Sequence, residues 1–326
     1  LDQIKKMGEL GFMGIMASNK FNGGGMDTIS YAIAMEEISA VDASAAVIMS
    51  VNNSLVCYLI EHFGNDFQKE KYLTKLTTGE KLGAFSLSEP QSGSDASNMN
   101  TTAIKKDDFY VLNGTKNWVT NGIHSDLVLV FAMTEKEVGH KGISCFIVEK
   151  SFEGFECGKP EEKLGIRSSD TCELYFDNVK VPKENLIGNE GEGFKIALAT
   201  LDGGRIGIAA QALGIAVASL NHSISYSKDR HQFGKPIASN QGIQFKLADM
   251  AMEIEAARLL IYKAAEAKDS GENYGHIASM AKVYASEVAM RASTDCVQIH
   301  GGYGYVKETG VERLMRDAKI TQIYEG

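Results

Sequence analysis

The hydrophobic period changes twice along the chain, and those changes constrain the architecture more than any other feature. Up to about Leu82 apolar residues recur at helical spacing. Ile29, Ile33 and Ala40 set one helix, and residues 45–60 form an apolar run. From about Gly83 to Gly193 the period falls toward two, and 126–133, 142–150 and 172–181 read as strands bounded by glycine, aspartate or proline. Beyond residue 193 the helical period returns: Ile206, Ala210, Leu213, Val217, Leu220 and Ile224 mark one helix. A second follows Ile243, Leu247, Met250, Ile254, Ala257 and Ile261, and a third Ile277, Ala281, Tyr284, Val288 and Ala292. The expectation is a mainly α protein with a central β domain: an N-terminal helical domain over 1–82, a middle antiparallel β domain over 83–193, and a C-terminal four-helix-bundle-like domain over 194–326. The small, apolar faces of the last helices also suit an oligomer core.

Composition removes several function classes. A formal net charge of −9 over 326 residues opposes non-specific nucleic-acid binding. Five scattered cysteines form no CxxC pair and no His/Cys cluster with metal spacing, which predicts reduced core thiols in a reducing compartment and no metal site. No eighteen-residue apolar run predicts a membrane span. The opening LDQIKKMGELGFMGI reads as a helix entered partway and not as a targeting segment, and the stop at Tyr324-Glu325-Gly326 is abrupt, so both ends read as trimmed. GxGxxG, GxxxxGK[ST] and GxSxG are absent.

Chemistry-bearing residues gather in a few runs. FSLSEPQSGSDASN, 85–98, opens as a strand and breaks into a polar loop, and LNGTKNWVTNG, 112–122, contains Asn113-Gly114, which predicts a tight turn between strands 109–112 and 115–120. Together they offer the hydroxyls of Ser86, Ser88 and Thr120, glycine-freed amides and the single tryptophan, Trp118. Such a surface suits a flat, polar-edged, phosphate-bearing ligand. Asn52 and Asn53 interrupt the 45–60 run. Asparagine is unfavourable inside a helix, so they are expected to find partners or face water.

Both polar runs resemble the flavin-binding segments of the acyl-CoA dehydrogenase family, and the resemblance extends over nearly the whole chain. It implies an FAD site in which Phe85, Leu87, Ser88, Gly93 and Ser94 form one loop, with Ser88 bonding the isoalloxazine edge and Ser94 also contacting the thioester. Trp118, Val119 and Thr120 form the second segment, Thr120 lying near flavin N5. TLDGGRIG matches the substrate signature and puts Asp202 and Arg205 at the CoA side. DRHQFGKP, 229–236, matches the segment that reaches the neighbouring subunit's FAD, through Arg230, Gln232 and Phe233, with Gln241 following. A guanidinium fork suits pyrophosphate, the role given to Arg230. QIHGGYGY, 298–305, matches the turn against the adenosine half, with Gln298, Gly301 and Gly302. VIMSVNNSL resembles the helix that lines the acyl pocket in short-chain members. The segment around Arg167 resembles the family's β domain mainly as structure.

Removing two hydrogens beside a thioester needs a base for the α-proton and an acceptor for the β-hydride, and only a cofactor can be the acceptor. The base should be a carboxylate in an apolar cleft, where burial raises its proton affinity. The family's base aligns on Glu325 in RDAKITQIYEG, with Tyr324 and Gly326 on the substrate side. A backbone N–H near Glu325 and a flavin hydroxyl would polarise the carbonyl. Gly207 and Ile208 disfavour the relatives' alternative base position on the preceding helix. The resemblance implies FAD-dependent dehydrogenation of a short-chain acyl-CoA of the butyryl type to trans-2-enoyl-CoA, with electrons passed to an electron-transfer flavoprotein. It further implies a homotetramer, a dimer of dimers, in a bacterial cytoplasm or mitochondrial matrix. Branched-chain or glutaryl specificity, an oxidase, and a non-catalytic binding module remain as alternatives.

Overall fold

The structure is a computed structural model that describes residues 2–326. The chain divides into two compact units. One takes residues up to Asp27, Ile48–Glu162 and Ser168–Gly204; the other takes Thr28–Val47, Lys163–Arg167 and Arg205–Gly326.

The first unit is built on one eight-stranded sheet. In chain order its strands are β1 Gly83–Ser86, β2 Thr102–Lys105, β3 Phe109–Thr120, β4 Leu127–Met133, β5 Ile143–Glu149, β6 Phe155–Cys157, β7 Thr171–Pro182 and β8 Leu186–Ile187. They lie in the order β6-β7-β3-β2-β4-β5-β8, with β1 also on β4. All seven residues of β4 are buried, as expected of a strand covered on both faces. The sheet is not wholly antiparallel. β1 runs parallel to β4, and β2 meets β4 in a parallel pair at Thr102 and Met133. A parallel partner needs a crossover, and here the 87–101 loop with β2 and β3 supplies it.

Asn113-Gly114 does not turn the chain. It lies within the twelve-residue β3, where the pairing with β7 shifts register between Leu112 and Gly114. Gly114 has φ +152, and a Cβ there would sit 2.4 Å from Thr101 Oγ1. The glycine serves a bulge and a close approach, the other use of glycine in a strand. Asn113 bonds across to Asn178, accepting its N–H at 2.8 Å.

The apolar run 45–60 falls within one continuous helix, Ala43–Phe63, interrupted by a π-helical segment at Val51–Cys57. Asn52 and Asn53 lie in that segment, fully partnered and not facing water. Asn52 Nδ2 donates to Met13 O and Leu76 O, and its Oδ1 accepts Gly83 N–H. Asn53 accepts Ile15 N–H at 2.7 Å and donates to Phe12 O and Met49 O. Both side chains stitch the helix to the N-terminal loop.

The second unit is helical. Residues 28–47 pack there with the C-terminal elements: Thr28–Val41 is held to Gln241–Asp269 by a 2.6 Å ion pair between Glu36 and Arg258. The helix Gly193–Asp229 crosses residues 28–47 so closely that a Cβ on Gly214 would meet Glu36 O at 2.2 Å. The three long helices expected from the period are Gly193–Asp229, Gln241–Asp269 and Gly275–His300. Val311–Thr321 is a fourth, and its Asp317 accepts the Ile166 N–H. Ala43–Phe63 and Gly193–Asp229 are long and apolar enough to cross a membrane, but 83% of each apolar window is buried inside the protein, so they serve as core helices.

Candidate active site

In the first unit the two runs singled out by sequence lie side by side. Asn117 N–H donates to Ser88 O at 2.9 Å, and Lys116 Nζ donates to Leu87 O at 2.9 Å. β3 and β7 shift register again between Lys116 and Val119, and Trp118 takes a left-handed φ of +59. Its N–H is held by its neighbour's Asn117 Oδ1, and its side chain is 62% exposed. Phe85 is half-buried against Phe131, Val119 is buried, Leu87, Ser88 and Thr120 are half-buried, and Gly93 and Ser94 are exposed. Ser86 Oγ and Asn121 Oδ1 are buried with no hydrogen-bond partner among the described residues. Unsatisfied buried polar atoms are rare, and two of them fall on the two segments that carry the exposed Trp118, a combination that suits a flat ligand with polar edges. These residues fit the isoalloxazine end of a flavin.

In the second unit a cleft of about 630 Å³ brings together Arg230, Gln232, Gly301 and Gly302 with Tyr226, His300 and Tyr303. The Arg230 guanidinium lies over the Tyr303 ring, 5.6 Å from its centroid. Gly301 has φ +59 and ψ −135, a conformation open almost only to glycine, and a Cβ on either glycine would meet nothing within 4 Å. The backbone therefore presents a bare surface toward open space. A cation, amide donors and aromatic rings around it suit a nucleotide with its phosphates. Phe233, Gln241 and Gln298 do not line this cleft. Phe233 is 97% exposed in the turn between β9 His231–Gln232 and β10 Lys235–Pro236, and Gln241 and Gln298 are exposed on their helices.

Glu325 follows the Val311–Thr321 helix with a left-handed φ of +60. Its Oε2 is buried with no hydrogen-bond partner among the described residues. Two cations hold the backbone here: Arg205 Nε donates to Glu325 O at 3.0 Å, and Lys282 Nζ donates to Gly326 O at 2.7 Å. Burial raises the Glu325 carboxyl from its ordinary 4.5 to about 7, against the opposing pull of Lys282 and Arg205. The same burial lowers the Lys282 ammonium. Tyr324 donates its hydroxyl to Gln211 Oε1, so this neighbour of Glu325 is pinned. Asp202 is half-buried on the Gly193–Asp229 helix.

Sequence reasoning missed Lys282, Gln211, His300, Tyr303 and the buried pair Lys116–Glu89. The signal was there for two of them. Lys282 interrupts the apolar face of Ala278, Ala281 and Ala285, and Lys116 shares the inward parity of Tyr110 and Leu112 in β3. A charge on a buried face needs a partner.

The family models for the acyl-CoA dehydrogenase N-terminal, middle and C-terminal domains match residues 1–80, 84–179 and 191–326. The chain belongs to the acyl-CoA dehydrogenase family, a family of flavoprotein oxidoreductases. An acyl-CoA dehydrogenase of Bacillus subtilis is 56% identical over 99% of this chain and 85% of its own length. The structure of butyryl-CoA dehydrogenase from Megasphaera elsdenii superposes with a TM-score of 0.98 at 53% identity, covering 100% of this chain and 86% of that one. A chain from a study of the electron transferring flavoprotein of Acidaminococcus fermentans gives 0.99 at 54% identity, with coverage of 100% and 86%.

Proposed function

We propose that this protein is an FAD-dependent short-chain acyl-CoA dehydrogenase that converts butyryl-CoA to the trans-2-enoyl-CoA and passes the electrons to an electron-transfer flavoprotein. The observation that carries the reading is the buried, unpartnered carboxylate oxygen of Glu325, with a proton affinity lifted to about 7. A base working near neutral pH on a weakly acidic α-proton needs that affinity. Arg205 and Lys282 hold the carbonyls of Glu325 and Gly326, so the carboxylate would meet the substrate with little reorganisation. Tyr324 and Gly326 flank it, and Asp202 and Arg205 are assigned to the CoA side.

FAD, when bound, supplies the acceptor for the β-hydride. Phe85, Leu87, Ser88, Gly93, Ser94, Trp118, Val119 and Thr120 would hold its ring end, with Ser94 also touching the thioester. Arg230, Gln232, Phe233 and Gln241 would reach the FAD of a neighbouring copy in a homotetramer, and Gln298, Gly301 and Gly302 would lie against the adenosine half of FAD. Phe245, Met252 and Leu259 recur every seven residues on the Gln241–Asp269 helix and are each more than 60% exposed, which supports assembly through that face. Resemblance to bacterial and mitochondrial enzymes supports a soluble location in a bacterial cytoplasm or mitochondrial matrix.

Chain-length preference is tested by anaerobic reduction of the purified flavoprotein with butyryl-, octanoyl-, isobutyryl- and glutaryl-CoA. Butyryl-CoA is expected to bleach the flavin at the highest kcat/KM. A tenfold preference for any other thioester would replace the proposed specificity.

A further inference from the structure

Lys116 and Glu89 are almost wholly withdrawn from water, their side chains 0% and 2% exposed, and they form a 2.9 Å ion pair. The pair is densely bonded. Lys116 Nζ also donates to Leu87 O, and Met99 Sδ lies 3.9 Å away. The Glu89 carboxylate accepts Asn100 N–H, Thr101 N–H and Gln91 Nε2 in addition to the ammonium. One carboxylate thus gathers both ends of the 87–101 loop, while the ammonium ties that loop to β3 two residues before Trp118.

Burial alone would neutralise both groups. Burial pushes the Glu89 carboxyl up, but the Lys116 charge and the N–H donors overcome this and leave it at about 2. Lys116 is pushed down by burial to about 8, against the pull of Glu89. Both are charged at neutral pH. Buried ion pairs seldom stabilise a fold more than apolar residues of equal size would, and their best-attested use is to impose one arrangement.

We propose that Lys116 and Glu89 are positioning residues of the flavin site, a buried clamp that sets the register between the Leu87–Ser88 backbone and the Trp118–Thr120 backbone. The clamp rests on the reading that these segments hold FAD. It acts through geometry: Lys116 fixes Leu87 O, and Asn117, next in sequence, fixes Ser88 O. With the ammonium gone, the carboxylate keeps its backbone donors but the two segments lose their charged link. The loop then stays folded on itself and slides relative to β3. FAD affinity and the spectrum of the bound flavin should change more than stability does.

The test is the dissociation constant of FAD for the deflavinated protein, read from quenching of flavin fluorescence, together with the visible spectrum of the bound flavin. Lys116→Met, Glu89→Gln and the double variant Lys116→Met/Glu89→Gln are compared with the unaltered protein. Lys116→Met is expected to weaken FAD binding at least thirtyfold and to blur the resolved shoulders of the flavin band. Glu89→Gln should weaken it several-fold. The double variant, which leaves no uncompensated charge, should regain part of the affinity. FAD affinity within twofold of the unaltered protein in the folded variants overturns the inference. If Lys116→Met does not fold, Glu89→Gln decides on the same criterion. An unaltered protein that binds no FAD removes the proposed function and the clamp with it. One that binds FAD beside variants that bind it equally well overturns the clamp alone.

Discussion

At the scale of single residues, Glu325 combines three features that rarely coincide by accident: a left-handed backbone, a buried carboxylate oxygen without a partner among the described residues, and two cations engaged with its own carbonyl and the next. Holding a non-glycine residue there costs about 1–3 kcal/mol, and such strain persists where the surroundings over-determine it. The raised proton affinity sets the sign of its pH effects. Its stability contribution is fully present below the ordinary 4.5 and is lost as pH rises through about 7. The deprotonated, proton-accepting form appears over the same rise. The acidic limb of kcat/KM should therefore have its midpoint near 7. Lys282 pulls that value down, so Lys282→Met should move the limb to higher pH. A limb that stays in place, or moves down, would show that Lys282 does not act on Glu325 as the proposed base. The group-by-group pH profile of kcat/KM measures this directly.

At the scale of elements, the π-helical segment Val51–Cys57 places Asn52 and Asn53 side by side as internal brackets. Asn53→Ala would leave the buried Ile15 N–H and Met49 O and the half-buried Phe12 O without this partner, a loss of about 2–4 kcal/mol. Denaturant unfolding of Asn53→Ala should show that loss, and a change below about 0.5 kcal/mol would contradict the bracket. The elements also show what could be read beforehand. The long C-terminal helices were legible because Ile243 through Ile261 and Ile277 through Ala292 repeat without interruption, and burial follows that period. Asn113-Gly114 misled because a hairpin and a strand bulge ask for the same residue pair. Only the approach of Thr101, distant in sequence, distinguishes them. The parallel placement of β1 on β4 was hidden for the same reason, since strand order depends on partners and not on period. Of the site, Glu325, Arg230 and the Gly301-Gly302 pair were legible through resemblance. Of the two cations beside Glu325, Arg205 was singled out through resemblance, though for the CoA side, and Lys282 carried a signal that went unread, since it interrupts the apolar face of Ala278, Ala281 and Ala285.

At the scale of the whole molecule, the family assignment and the architecture of each unit support the proposed reaction, in which Glu325 would take the proton and a bound flavin would accept the hydride. The most direct test is anaerobic titration of Glu325→Gln with butyryl-CoA, following the flavin absorbance. The substitution preserves size and removes the proton acceptor. The variant is expected to retain its flavin and bind butyryl-CoA, and to bleach about 10³-fold or more slowly than the unaltered protein, in line with the loss of a general base. Bleaching at the unaltered rate would contradict the account, since the proton would then be leaving to another group.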